Sequence, residues 1–277
     1  MACQLKTLLM LLVFLLVSNL HQYCVNGKPQ VPCFFVFGDS LSDDGNNNNL
    51  LTLPKVNYPP YGIDFPKGLT GRFSNGRNLV DIIAEHLGFD NYIPPFATAG
   101  GLKILEGVNY ASGSAGIRHE TGQQLTLYNY GARKVVLFGL GQLGNTPNLL
   151  TACGTNGSYC VDHINNAAQL FNERLISLVS YLNKILFNAK FIYINSTGIA
   201  LSSSTSQVTN VPCCELLRIG QFQCNPFGNP CPNRCQYAFW DGVHPTEDIY
   251  GLYAGRAYRA QSPTDAYPFD ISHLAQL

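Results

Sequence analysis

The sequence predicts an α/β fold: a parallel sheet covered by helices on both faces. Three observations carry this. Short, continuous apolar runs of strand length recur along the chain, amphipathic stretches of helical period alternate with them, and 277 residues suit one domain of this kind. Val31 to Phe37 (Val-Pro-Cys-Phe-Phe-Val-Phe) ends at Gly38 and reads as a first strand buried on both faces. Asn46 to Asn49 and a proline-rich stretch to Pro66 form a long connection. Leu79, Ile82, Ile83 and Leu87 then recur at helical spacing, with Asn75 or Asn78 to cap the helix and Gly88 to stop it. Val108 to Ala111 is a second strand, closed by Ser112-Gly-Ser-Ala-Gly116, and Arg133 to Phe138 a third. Ala168, Phe171, Leu175, Leu178, Leu182 and Leu186 mark a long helix within Ile164 to Phe187, and Phe191 to Ile194 a fourth strand. Pro245 opens a last helix, with Glu247 and Asp248 placing negative charge at its N-terminus.

One connection breaks the pattern. Only twenty residues separate Ser112 from Arg133, and Gly113, Gly116, Gly122 and Gly131 interrupt them without an amphipathic period. A parallel crossover needs about 10 to 12 residues including its helix, so the length is barely adequate and the helix is missing.

The two ends and the cysteines indicate the compartment. Lys6, the ten apolar residues Leu8 to Val17 and a polar stretch up to Gly27 form a charged, an apolar and a polar region in turn. The apolar run is short of the roughly 20 residues that span a bilayer, so residues 1–27 read as a secretory signal peptide rather than an anchor. Residues 28–277 form a single domain, expected as a secreted, extracellular monomer with no membrane segment once the signal is removed. Eight cysteines remain after Cys3 and Cys24 leave: Cys33, Cys153, Cys160, Cys213, Cys214, Cys224, Cys231 and Cys235. In an oxidising compartment they favour disulfides over a zinc cluster, with a stapled loop between 213 and 235 and a connectivity the spacing leaves open. Asn156-Gly-Ser158 and Asn195-Ser-Thr197 are glycosylation acceptors in form.

Composition narrows the partners. Charged residues make up 12%, with 17 basic and 17 acidic side chains, so no basic excess exists to neutralise phosphates and nucleic acid is excluded as a partner. Small, neutral ligands suit such a chain. Gly139-x-Gly141-x-x-Gly144 matches the dinucleotide fingerprint in spacing, but Pro147 and its neighbouring asparagines stand where a helix should start.

Two segments carry chemistry. Gly38-Asp39-Ser40 sits where the first strand ends, and the carboxyl ends of parallel strands form the ligand crevice, so the turn presents the Ser40 hydroxyl. In Trp240-Asp241-Gly-Val-His244-Pro245 an Asp stands three residues before a His. That spacing lets the carboxylate accept from one imidazole nitrogen while the other faces outward, fixing the tautomer of a general base. A serine beside a base oriented by a third group is an activated nucleophile.

Together these segments resemble a known family. Phe35-Val-Phe-Gly-Asp-Ser-Leu41-Ser-Asp43-Asp-Gly-Asn46, Gly71-Arg-Phe-Ser-Asn-Gly76, Val108-Asn-Tyr-Ala-Ser-Gly113 and Phe239-Trp-Asp-Gly-Val-His-Pro-Thr-Glu247 look like the blocks of the plant GDSL esterase/lipase family. The resemblance implies a flavodoxin-like three-layer α/β/α sandwich and a serine hydrolase of the SGNH type, acting on carboxylic or lipid esters through an acyl-enzyme. It implies no metal and no organic cofactor. Ser40 would be the nucleophile, His244 the base and Asp241 its orienter, with the Ser40 and Gly113 backbone N–H groups in the oxyanion hole.

The family's third block is a Gly-x-Asn-Asp segment after a central strand, its Asn a further oxyanion donor. No Asn-Asp dipeptide occurs in this chain. Thr121-Gly-Gln-Gln124 and Tyr128 to Lys134 match family sequence on either side of that block, so an internal deletion is expected near 124–127, removing one central strand. If the Arg133 to Phe138 strand docks directly beside the first, its following loop brings Asn145 or Asn148 toward Ser40 as a substitute donor. The alternative is a catalytically inactive extracellular protein that binds lipid or ester.

Overall fold

The computed structural model describes residues 28–116, 127–128, 130–154, 157–202, 207–217 and 221–277. Residues 1–27, most of the shortened connection at 124–127, and Asn156 lie outside the described residues.

A sheet of three strands forms among the described residues, in the order β1 (Lys134–Phe138), β2 (Lys190–Ile194), β3 (Ala266–Tyr267). β1 and β2 run parallel in the register Lys134 opposite Lys190 to Phe138 opposite Ile194, and β3 pairs antiparallel with β2. Alternation along β2 splits its side chains between two helix layers. Ile192 and Ile194 enter a core with Ile82 and Ile83 of α1 (Leu79–His86), Tyr250 and Ala254 of α5 (Glu247–Tyr258), and Leu274 of α6 (Ile271–Gln276). Phe191 and Tyr193 face the other way, against Leu175, Val179 and Leu182 of α3 (Ser158–Ile185). The result is the expected three-layer α/β/α arrangement.

Local chemistry explains the boundaries. Asn78 caps α1 in a reciprocal box with Asp81, each side chain bonding the other's backbone N–H, and Gly88 ends the turn at φ +85°. Thr146 stands at the N-cap of a helix the sequence reading missed, α2 (Pro147–Cys153), whose first residue is the same Pro147 that argued against a helix. Proline suits that position, because its absent N–H would have had no partner in the first turn. The short helix α4 (Ser196–Leu201), β3 and α6 were also unforeseen, being too brief to show a period.

The first apolar run departs from expectation. Among the described residues it forms a parallel ladder on one edge: the Phe34 and Val36 N–H groups donate to the Glu106 and Val108 carbonyls, and the Tyr110 and Ser112 N–H groups donate to those of Val36 and Gly38. Val36 is buried against Val80 and Ala111, but Phe35, on the opposite face, is 45% exposed. Burial on both faces needs a helix over each, and among the described residues α3 covers β1 and β2 without extending over the face that carries Phe35. Gly107 makes the ladder's start feasible, since at φ +140° a Cβ there would sit 1.9 Å from the Phe34 carbonyl oxygen.

Disulfides join Cys153 to Cys160, Cys213 to Cys231 and Cys214 to Cys224. The last two staple the 213–231 loop as expected and consume the thiolates a zinc cluster would need. Full pairing of the eight does not occur: Cys33 stands just before the first ladder and Cys235 is exposed in a short 3-10 turn, both as free thiols.

Candidate active site

Ser40 stands two residues after Gly38, the last residue of the ladder. Asp39 shapes its turn, with its carboxylate accepting from the Leu41 N–H at 2.9 Å and its carbonyl from the Ser42 N–H at 3.1 Å. His244 lies 204 residues further on, with Asp241 three residues before it, in a loop closed by a bridge between Phe239 and Pro245 and by a Trp240 N–H to His244 carbonyl bond of 2.8 Å. The stapled segment pins this loop, because the Cys213 and Cys214 N–H groups donate to the Phe239 and Trp240 carbonyls. Trp240, within this loop, is fully buried.

The three side chains meet. His244 Nε2 lies 2.8 Å from Ser40 Oγ, and His244 Nδ1 lies 2.9 and 2.8 Å from Asp241 Oδ1 and Oδ2. Asp241 is 0% and His244 2% exposed, so bulk water does not compete for the carboxylate. The Val243 and His244 N–H groups also donate to Oδ1, at 2.9 and 2.8 Å. With Asp241 as acceptor, Nδ1 carries the proton and Nε2 is left to accept from the serine. Such an arrangement can remove a hydroxyl proton and return it to a leaving group.

Several contacts were not foreseen. Tyr61 donates to Asp241 Oδ2 at 2.7 Å across 180 positions of sequence, a distance at which no spacing rule operates. Asp43 is buried, its Oδ1 accepting from the Gly45 and Asn46 N–H groups, and burial raises its pKa above the ordinary range against the pull of those donors. The asparagine run read as plain connection is a buckle. Asn46 donates to the Asn109 and Ala111 carbonyls, and Asn47 to those of Pro54 and Gly113.

The groups expected as oxyanion donors have partners of their own. The Gly113 N–H is committed to Asp43 Oδ2 at 2.8 Å, because the buried Asp43 carboxylate must be satisfied. Asn145 is exposed and bonded to Gln142 and Asn165, so it is engaged away from the triad. Asn148 docks on the triad loop through its N–H to the Gly242 carbonyl at 2.9 Å, and its Oδ1 is buried. Asn195 caps α4, its Oδ1 accepting from the Gly198 N–H and its Nδ2 donating to the Thr264 carbonyl. A cleft of about 460 Å³ lies between Asp64, Arg77, Arg234 and Glu247, and no triad residue lines it.

Gly139-x-Gly141-x-x-Gly144 is no phosphate loop. Gly139 packs where a Cβ would meet the Tyr193 ring, and the Gly144 N–H is held by Asn165 Oδ1.

Comparison with known proteins shows the family of the chain. The model of the GDSL-like lipase/acylhydrolase family matches residues 34–129 and 119–256. A GDSL esterase/lipase of Arabidopsis thaliana is 43% identical over 90% of this chain and 93% of its own length. Two others from the same plant are 40% identical (91% and 94% covered) and 36% identical (98% and 99% covered). The first alignment runs over 339 positions, of which 90% of 277 residues can fill only about 250, so about 90 positions of that relative face gaps. Motifs, fold and relatives converge: the chain belongs to the GDSL-like lipase/acylhydrolase family and is a carboxylic ester hydrolase of the GDSL type.

Proposed function

We propose that Ser40, His244 and Asp241 cleave carboxylic or lipid esters through an acyl-enzyme. Ser40 Oγ attacks the ester carbonyl carbon as its proton passes to His244 Nε2, and the tetrahedral adduct collapses as that proton moves to the departing alcohol. Water then attacks the acyl carbon, giving its proton to His244, and the acid leaves as Ser40 regains a proton. Asp241 holds the ring and stabilises the imidazolium. The observation that carries this reading is the continuous set of contacts from Ser40 Oγ through His244 to Asp241, each at 2.8 to 2.9 Å.

The oxyanion hole is the weaker half of the site. With Gly113 engaged by Asp43, the donors left to this reading are the Ser40 N–H and the amide of Asn148, which its docking on Gly242 favours. An internal deletion near 124–127 would account for the gap against the relatives, and loss of one oxyanion donor typically lowers the rate by about 10² to 10³. Turnover is therefore expected to be slow. Export, through removal of residues 1–27, and glycosylation at Asn156 or Asn195 complete the proposal. The commitment of both Asn195 amide atoms makes Asn195 the poorer acceptor.

Short p-nitrophenyl esters test the reading, with Ser40→Ala as control. Ser40-dependent turnover, lost by at least about 10³-fold in the variant, supports it. A cooperatively folding protein with neither turnover nor fluorophosphonate labelling of Ser40 overturns it in favour of an inactive ester-binding protein.

A further inference from the structure

We infer that Tyr61 is a positioning residue of this triad, its hydroxyl holding the Asp241 carboxylate in the orientation that receives His244 Nδ1–H. The inference rests on the triad proposed above and concerns a residue outside its motifs. The two carboxylate oxygens are held differently. Oδ1 accepts from two backbone N–H groups as well as from His244, whereas Oδ2 has, among the described residues, Tyr61 as its one donor besides the imidazole. Without the phenol, Oδ2 becomes a fully buried anionic oxygen whose single partner is the ring it is meant to orient.

The direction of the proton follows from a second contact. The Cys224 N–H donates to Tyr61 Oη at 3.1 Å, which occupies the acceptor side of the hydroxyl and leaves its one proton for Asp241. Cys224 belongs to the disulfide with Cys214, and the Cys214 N–H donates to the Trp240 carbonyl beside Asp241. The stapled loop thus holds Tyr61 from one side and the Asp241 backbone from the other.

The ring has little freedom. Tyr61 is 1% exposed and meets Tyr58, Phe73 and Trp240 edge-on, at centroid distances of 5.5, 6.4 and 6.4 Å. Phe73 in turn lies 4.8 Å from the His244 ring, so the same aromatic cage borders the acceptor and the base. Burial, and then the Asp241 charge, hold the phenol proton well above its ordinary range, and Tyr61 stays a donor at every working pH. The other titratable groups acting around Asp241 are His244, Tyr58 and Tyr250. The two phenols are likewise pushed up by burial, and Asp39 and Asp241 both act on Tyr250.

Tyr61→Phe keeps the ring and removes the hydroxyl. Tyr58→Phe is the comparison, since that hydroxyl bonds the Cys224 carbonyl at 3.3 Å and does not touch Asp241. On a p-nitrophenyl ester, Tyr61→Phe is expected to lower kcat by about 10-fold or more with KM unchanged. With one donor fewer, the carboxylate stabilises the imidazolium more, so the acid limb of the kcat/KM profile moves to higher pH. Tyr58→Phe moves neither. A second readout is independent of turnover. The downfield proton resonance of His244 Nδ1–H, identified by its loss in His244→Ala, shifts or broadens in Tyr61→Phe and stays in place in Tyr58→Phe. Wild-type kcat, pH profile and resonance in Tyr61→Phe, or equal changes in both variants, overturn the inference. Absence of Ser40-dependent turnover overturns the proposed reaction instead, and the resonance then decides the role of Tyr61 alone.

Discussion

β1 and β2 are neighbours of equal length, five residues each, and each begins with a lysine. After that lysine every β2 residue is buried, while every β1 residue is half-exposed. The cause is position, because β2 has β1 on one side and β3 on the other, and β1 has no second partner among the described residues. Similar apolar runs therefore contribute unequally to the core. The site resembles neither strand. Its side chains stand on loops, and what holds them is a dense set of buried hydrogen bonds, ion pairs and disulfides around Asp43, Arg72, Tyr61 and Asp241. A sheet with an open edge can still carry a well-formed triad when the loops are fastened to each other.

Removing a loop fastener should have the largest effect. Arg72 is 5% exposed, pairs with Asp81 through two bonds of 2.6 and 2.7 Å, and lies 3.3 Å from Asp44. Arg72→Ala leaves two buried carboxylates without their cation and is expected to cost about 3 to 5 kcal/mol in chemical denaturation. A loss below about 1 kcal/mol would mean that the sheet dominates after all.

The strands themselves supply the next comparison. Ile192→Ala in β2 removes a side chain of 0% exposure and is expected to cost about 2 to 5 kcal/mol. Leu137→Ala in β1 should cost about 1 kcal/mol, since part of that side chain already faces solvent. Equal losses would show that the β1 edge is covered in solution.

A further comparison is one of pH. Burial, then the Asp81 charge, outweigh the Arg72 guanidinium and raise Asp44 to about 7. An unfolded chain ionises it near 4, so between about pH 4 and 7 the folded state binds the extra proton. Stability from this group is full at the acid end of that window and is lost as pH rises through it. Thermal midpoints should accordingly show a decline across the window that is flatter in Asp44→Asn; an unchanged slope would place the proton elsewhere in the cluster.

Much of this was legible along the chain. The long α3 and the capped α1 follow from helical period and from Asn78, and Ser40, Asp241 and His244 follow from where a strand ends and where an Asp precedes a His by three. The bond from the Gly113 N–H to Asp43 was not legible for a definite reason: the two lie 70 residues apart, and burial of that carboxylate sets its claim on the N–H. Likewise Phe35 reads as core in a run of apolar neighbours, and only the missing cover over its face exposes it.

The sequence by itself determined the helices α1, α3 and α5, the strands β1 and β2, the family motifs and the three side chains at the candidate site, because each is a matter of residue type at short spacing. Tertiary structure alone decided which edge stays unpaired, which cysteines bridge, and which partner lays claim to each polar group near Ser40. Those outcomes depend on burial. A hydrogen-bonding group commits to a partner when folding removes water from it, and only the closed fold shows which atoms have lost their water together.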